Sequence, residues 1–270
     1  MALKRRLESR PMAEGEGAAL TVESVSKRFG AVRAVEDVSF RVEPGSLTCL
    51  IGPNGAGKST LLQCVSGFLR PDSGRIFLDE RDVSRWPPHK RARAGLGTVF
   101  QVMRAPHLDV LSSTMVGCHG WTRTGFVSGI VRPPWQWREE RRIREEAWRA
   151  LGLVGLQQRA GDRADALPLG QLRLLSVARV LAQRPPVLLL DEPVAGLRAA
   201  EKRQLMNVFR DLRRRGLTQV LIEHDMQFVG SVADRILVLD RGRLIADGPP
   251  DQVRQDEEVI TAYLGTAAVL

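Results

Sequence analysis

Apolar positions along this chain follow two rhythms. Leu20, Val22 and Val25, then Val38, Phe40 and Val42, alternate with polar residues, which predicts half-buried strands. Residues 47–51, 95–100 and 187–190 are mostly apolar and 220–222 apolar throughout, within buried strands at 47–51, 95–100, 187–190 and 219–223, the pattern of strands covered on both faces. Ile76-Phe77-Leu78 is a shorter strand, and 236–239 with 244–245 flank Asp240-Arg241-Gly242-Arg243, a hairpin signal. The second rhythm is helical. Ile143, Ala147 and Leu151 mark one face of 138–153, with Trp148 beside it. Leu174, Leu175, Ala178 and Leu181 do the same over 170–183, and Leu205, Val208, Phe209 and Leu212 over 199–215, where Gly216 is the expected C-cap. Shorter helices are expected after Thr60, over 90–94 and before 264.

Strands alternating with helices predict an α/β core with a parallel sheet. The alternating strands of 20–42 form a small, mostly antiparallel sheet leaning on it. Residues 102–182 read as a helical subdomain inserted into the core; 1–18 and 265–270 read as tails around one domain, 19–264. Within the insertion, Trp121, Phe126, Val127, Ile130 and Val131 lie between glycines, Arg123 and Arg132, followed by Trp135 and Trp137. This stretch reads as part loop and part amphipathic piece. Exposed tryptophans there would suit a partner or a membrane edge; a small satellite core accounts for them equally well.

Composition narrows the picture. The chain has 270 residues, 43% apolar and 26% charged, with no run of 18 apolar residues for a spanning helix. Lys4, Arg5, Arg6 and Arg10 are mixed with Glu8, Glu14 and Glu16 and precede no apolar core, so no secretory signal is expected. A net charge of +9 suits nucleotides, nucleic acid or an anionic membrane face. Many arginines sit in alternating-charge helical stretches, and there is no zinc-finger or RNA-binding aromatic pattern, so no nucleic-acid partner is expected. Cys49, Cys64 and Cys118 are isolated, which predicts buried thiols in a reducing compartment. His89, His107, His119 and His224 have no metal-ligand spacing.

The chemistry begins at Gly52-Pro53-Asn54-Gly55-Ala56-Gly57-Lys58-Ser59, a G-x-x-x-x-G-K-[ST] phosphate loop between a buried strand and a helix start at Thr60. Backbone N–H groups of such a loop cradle phosphate, Lys58 reaches the β- and γ-phosphates, and the Ser59 hydroxyl is placed for Mg²⁺. The strand at 187–190 ends in Asp191-Glu192-Pro193. A carboxylate there can hold Mg²⁺ through water, and the next can orient and activate a water. Gln101 and His224 follow two further buried strands and are candidates for reading the γ-phosphate or the metal. Phe29, upstream of the loop, either stacks on an adenine ring or belongs to the core.

Taken together, these residues resemble the ATP-binding subunits of ABC transporters over about 20–264, most of all the LivG-like branched-chain amino acid importer ATPases. The run 51–60, the long segment after Gln101 and the ending Val259-Ile260-Thr261-Ala262-Tyr263-Leu264-Gly265 carry the resemblance. It implies a P-loop NTPase fold of ABC type: a mixed sheet core, an N-terminal antiparallel β-subdomain and the inserted helical subdomain. It implies ATP and Mg²⁺. Residues Gly52 to Thr60 become the Walker A loop, Phe29 the adenine-stacking aromatic, Gln101 the Q-loop residue, Asp191 the metal carboxylate, Glu192 the general base and His224 the switch histidine. It implies a head-to-tail dimer in which one subunit's phosphate loop meets the other's signature helix, here Gly170 and Gln171. The other members are two transmembrane permease subunits and, indirectly, an extracytoplasmic solute-binding protein. The whole sits at the cytoplasmic face of the membrane.

Two departures from the family pattern stand out. Its Leu-Ser-Gly-Gly-Gln signature is Leu167-Pro168-Leu169-Gly170-Gln171 here. Pro168 removes a hydroxyl and an N–H that could reach the partner's γ-phosphate, and Leu169 puts bulk where glycine allows close approach. Arg198 replaces the usual Asp after Ala195-Gly196-Leu197. The expected function is ATP hydrolysis powering an importer of branched-chain or related amino acids, with a LivF-like second ATPase or a second copy as partner. Alternatives are an importer ATPase for urea, amides or another solute, and a slow regulatory nucleotide-binding subunit.

Overall fold

The computed structural model describes residues 17–100, 107–118 and 134–267. In chain order the strands are β1 (Leu20–Phe29), β2 (Val32–Val42), β3 (Leu47–Ile51), β4 (Ser73–Leu78), β5 (Arg81–Asp82), β6 (Leu96–Val99), β7 (Val187–Asp191), β8 (Thr218–Ile222), β9 (Arg235–Asp240) and β10 (Arg243–Gly248). The helices are α1 (Lys58–Ser66), α2 (Pro88–Ala94), α3 (Val110–Gly117), α4 (Pro134–Leu153), α5 (Leu169–Leu181), α6 (Ala199–Arg214), α7 (Met226–Val232), α8 (Pro250–Val253) and α9 (Glu257–Ala267). Two sheets result. The expected antiparallel one runs β2-β1-β4-β5, and the main sheet runs β10-β9-β3-β8-β7-β6. In the main sheet β9, β3, β8, β7 and β6 are parallel and only the edge strand β10 is antiparallel.

The unbroken apolar runs are explained by where each side chain goes. Leu188 and Leu190 enter one core with Cys49, Ile51, Leu221 and Val238; Val187 and Leu189 enter a second core with Leu50, Val220, Ile222 and Leu237. Side chains alternate across a strand, so a sheet covered on both faces needs apolar residues at every position. The first core also holds residues of α5, α6 and α7; the second holds α1 and the antiparallel sheet. The three cysteines are free and buried. Burial pushes the Cys64 thiol up to about 11 and that of Cys118 to about 12, which keeps both protonated and unreactive.

Helix α4 starts earlier than its periodicity suggested. It begins at Pro134, where the missing N–H is harmless in a first helical turn, so Trp135 and Trp137 belong to a helix and not to a loop. Trp137 is 65% exposed and Trp148 47% exposed, so neither fills a satellite core. Trp121, Phe126, Val127, Ile130 and Val131 lie outside the described residues. At the end of α6 the cap is Arg215, and Gly216 follows it in the left-handed region at φ +81°. None of the described helices is long and apolar enough to cross a membrane.

One buried cation fastens the helix behind the phosphate loop. Arg91, on α2, is 1% exposed and donates to the carbonyls of Cys64 (2.7 Å) and Val65 (2.6 Å), in the last turn of α1, and to those of Ser84 and Trp86 (both 2.9 Å). Helix α1 has no basic residue of its own in that turn, so Arg91 supplies both the missing donors and the charge that the helix C-terminus favours. Burial lowers its pKa to about 10, which leaves it charged at neutral pH. Arg91→Met is expected to remove the donor from the Val65, Ser84 and Trp86 carbonyls, while Cys64 keeps the Gly67 N–H, and to cost about 3 kcal/mol, read from equilibrium urea unfolding.

Candidate functional site

Three adjacent parallel strands end level with one another. Leu50 on β3 is in register with Ile222 on β8, which is in register with Asp191 on β7. The segments that follow are the glycine loop, Glu223-His224 and Glu192-Pro193, so residues separated by up to about 170 positions in sequence arrive at one sheet edge. Crevices beyond the carboxyl ends of parallel strands are where α/β sheets bind ligands.

The loop is shaped by its glycines. A Cβ on Gly52 would lie 2.0 Å from the Leu239 carbonyl oxygen, and one on Gly57 2.0 Å from that of Ala34; their φ angles are +145° and +101°. Gly57 is the N-cap of α1, and no side chain caps that end or places an acid in its first turn. The first amides of α1 and the positive end of its dipole are left for an outside anion. Asn54, Gly55 and Ser59 are exposed, Pro53, Gly57 and Thr60 half-buried, and Gly52, Ala56 and Lys58 buried. The Lys58 ammonium donates to the carbonyls of Gly52 (2.7 Å) and Pro53 (2.9 Å). Burial lowers its pKa, and the charges of Glu192 and Asp191 act against that.

Asp191 is half-buried, and burial followed by the charge of Glu192 raises its carboxyl; Lys58 and Arg173 pull it down. Glu192 has φ +47°, uncommon for a residue with a side chain, and its N–H donates to the Ile222 carbonyl at 3.0 Å. The exposed His224 brings Nδ1 to 3.9 Å from Glu192 Oε1, an ion-pair distance and not a hydrogen bond. The two carboxylates, the ammonium and the imidazole thus form one electrostatic cluster. Phe29 is 49% exposed at the end of β1, with the Lys27 ammonium 5.8 Å from its ring, so it is not a core residue. Gln101 lies outside the described residues, directly after Phe100.

Gly170 and Gln171 open α5, away from these strand ends in sequence and held by other groups. The Gly170 N–H donates to Glu201 Oε1 at 3.2 Å, and the Arg159 guanidinium donates to the Gln171 side-chain Oε1 at 2.9 Å. Pro168 is the N-cap, so its absent N–H costs the helix nothing. Leu169 is 44% exposed and faces Gly196, where an added Cβ would lie 3.6 Å from its δ-carbon. The Arg198 N–H donates to the other oxygen of Glu201 at 2.9 Å.

Sequence reasoning assigned no role to three polar residues of this region. Glu201 joins the two departures from the family pattern, Glu223 is a wholly buried acid, and Arg173 acts on Asp191. The signal for Glu223 was there, a carboxylate closing an otherwise apolar strand, but position alone did not say what it bonds. Tyr263 on α9 adds a link from the chain's end: burial raises its phenol, and the backbone of Gly52 acts the other way.

The loop fits a polyphosphate: a glycine cradle that a Cβ would fill, an uncapped helix N-terminus and a buried ammonium. A hydroxyl at Ser59 and a carboxylate at Asp191 are the hard oxygen donors that Mg²⁺ takes.

Comparison with known proteins gives this geometry its context. The pattern of the ABC transporter family matches residues 35–195, and that of the branched-chain amino acid ATP-binding cassette transporters matches 243–269. The high-affinity branched-chain amino acid transport ATP-binding protein BraF of Pseudomonas aeruginosa is 40% identical over 92% of this chain and 98% of its own length. LivG of Escherichia coli, of the same description, is 37% identical over the same shares. Among solved structures, a nucleotide-free ATP-binding cassette from an ABC transporter superposes with a TM-score of 0.80 at 29% identity, covering 91% of this chain and 98% of that one. Another ATP-binding cassette of an ABC transporter, in its ADP conformation, gives 0.80 at 30% identity over 92% and 99%. With one family pattern spanning more than half of the chain and relatives aligned along nearly all of it, the chain belongs to the ATP-binding subunits of ABC transporters, within the branched-chain amino acid group.

Proposed function

We propose that this chain hydrolyses ATP at the cytoplasmic face of the membrane to power an importer of branched-chain or related amino acids. The observation that carries the hydrolytic part is the cluster at the level strand ends, with Lys58, Asp191, Glu192 and His224 within electrostatic reach of one another. The solute rests on the relatives, BraF and LivG, whose names give branched-chain amino acids.

In this reading Gly52, Pro53, Asn54, Gly55, Ala56 and Gly57 wrap the phosphates with backbone N–H groups, and Lys58 leaves its loop carbonyls to meet their charge. Ser59, Asp191 and Gln101 would hold Mg²⁺, which supplies charge neutralisation on the phosphate oxygens when bound. Glu192 accepts the proton of the attacking water. His224, beside it, is placed to contact the γ-phosphate, and exposed Phe29 offers a face to the adenine. The attacking water needs an acceptor at hand, and a carboxylate already next to Asp191 and His224 serves without rearrangement.

The partners follow from what the surface leaves unfinished. Pro168, Leu169 and Arg198 are exposed and replace the groups a symmetrical partner would use. This favours pairing with a second, different ATPase chain whose signature completes the site on this chain's phosphate loop. A groove of about 350 Å³ lies between α5 and the β6 end, lined by Phe68, Val99, Phe100, Arg179 and Val180. Its apolar lining suits a segment of a permease subunit, and the solute-binding protein would act through the permeases.

Three outcomes are expected. Lys58→Ala should weaken ATP binding by about 2 kcal/mol, roughly thirtyfold, in isothermal titration. Glu192→Gln should lower turnover about a hundredfold or more while ATP still binds, since only proton acceptance is lost. Turnover should be low for the chain alone, rise on mixing with the co-encoded second ATPase, and disappear when that partner's signature is altered. Equal turnover by the isolated chain would mean that a homodimer tolerates Pro168 and Leu169.

A further inference from the structure

The Glu223 side chain is completely buried, yet a buried carboxylate is costly unless each oxygen is satisfied. Its partners are two backbone amides on two different segments. Oε1 accepts from the Val194 N–H at 2.8 Å, and Oε2 accepts from the His224 N–H at 3.3 Å. Val194 is two residues beyond Glu192, in the turn leaving β7; His224 is the first exposed residue beyond β8. One carboxylate is therefore bonded to both segments that carry the hydrolytic groups.

The backbone around Glu192 shows why such a tie is needed. Its φ of +47° is a conformation that persists only when the surroundings hold it. On one side the Glu192 N–H is held by the Ile222 carbonyl at 3.0 Å; on the other, Val194 is held by Glu223. Glu223 is itself anchored, since its own N–H donates to the Leu50 carbonyl of the strand that leads into the phosphate loop, at 3.3 Å. An apolar residue of the same size would leave the Val194 amide without an acceptor inside the core, where Val194 is 1% exposed.

From this we infer that Glu223 is a positioning residue for hydrolysis: it fixes the Glu192 turn against the His224 segment, and so sets the spacing of the two side chains. The inference rests on the reading of Glu192 and His224 as hydrolytic groups. An amide at this position can accept from only one of the two N–H groups, because its NH₂ opposes the other. Glu223→Gln thus cuts the tie with almost no change in shape.

The test uses the full chain together with its second ATPase. Glu223→Gln is expected to lower kcat by about ten- to a hundredfold with less than about a twofold change in the ATP concentration for half-saturation. Of the Val194 and His224 amides, the one that loses its acceptor should exchange faster in the variant than in the wild-type chain, and the His224 imidazole signals should move in NMR spectra. A merely structural role would lower the folded fraction and the unfolding temperature but leave kcat per nucleotide-binding site unchanged, and that result overturns the inference. Should Glu223→Gln fail to fold, the wild type decides: a Val194 amide exchanging as fast as those of exposed loops overturns the tie, and a protected one upholds it. Failure of the parent reading looks different, since the wild-type pair would then neither bind nor hydrolyse ATP. In that case Val194 and His224 amides that both keep their wild-type exchange rates in Glu223→Gln overturn the tie.

Discussion

A parallel sheet has to be covered on both faces, and the site depends on that constraint. Parallel strands cannot be joined by tight hairpins; each needs a crossover long enough to return to the same end. Every loop leaving the carboxyl end of β3, β7 or β8 therefore opens on the same side. Leu50, Ile222 and Asp191 are brought level by hydrogen-bonded register, and that register is held because residues on either side of it are committed to opposite cores. A slip of one residue in β7 would move Leu188 and Leu190 out of the first core and carry Asp191 and Glu192 away from Lys58. Burial and the alignment of these charged groups are thus set by the same register.

This is also why much of the fold was legible in the sequence. The run at 187–190 admits a buried strand and little else, and Asp191 marks its end. The phosphate loop combines a local turn chemistry with its flanking strand and helix, so its shape follows from eight neighbouring residues. The helical stretches at 170–183 and 199–215 show their inward faces in the spacing of leucines. Less legible was whatever depends on a partner far away in the chain. Phe29 could be stacking aromatic or core until its exposure excluded the core. Trp137 looked able to fill a satellite core, and it lies open on α4. Arg91 read as one more basic residue of a short helix. Its bonds to Cys64 and Val65 span about 26 positions and follow from the packing of α2 behind α1.

The polar residues that hold the loops share that property. Glu201 and Glu223 are each bonded to two backbone N–H groups in separate segments, and no local pattern tells which amides they bond. A carboxylate has two oxygens and four lone-pair positions, so it can close the accounts of two amides at once. Buried backbone donors must be paired, and at the ends of strands and helices no ladder remains to pair them. Side-chain acids fill the gap. Sequence reasoning finds such residues only as carboxylates out of place, as Glu223 is at the end of an apolar strand.

The same accounting bears on the altered signature. Pro168 caps α5 without needing an N–H, and Gly170 finds Glu201, which also bonds Arg198 at the start of α6. A Cβ at Gly170 would come within 2.5 Å of that carboxylate, so a larger residue there would have to shift the Glu201 side chain. Leu169 and Arg198, two positions that depart from the family pattern, lie on either side of one internal clasp. Their side chains are free to vary because the clasp is made by backbone N–H groups, which any residue other than proline supplies. The clasp asks for an acceptor at 201, and leaves 169 and 198 to the demands of the surface they share.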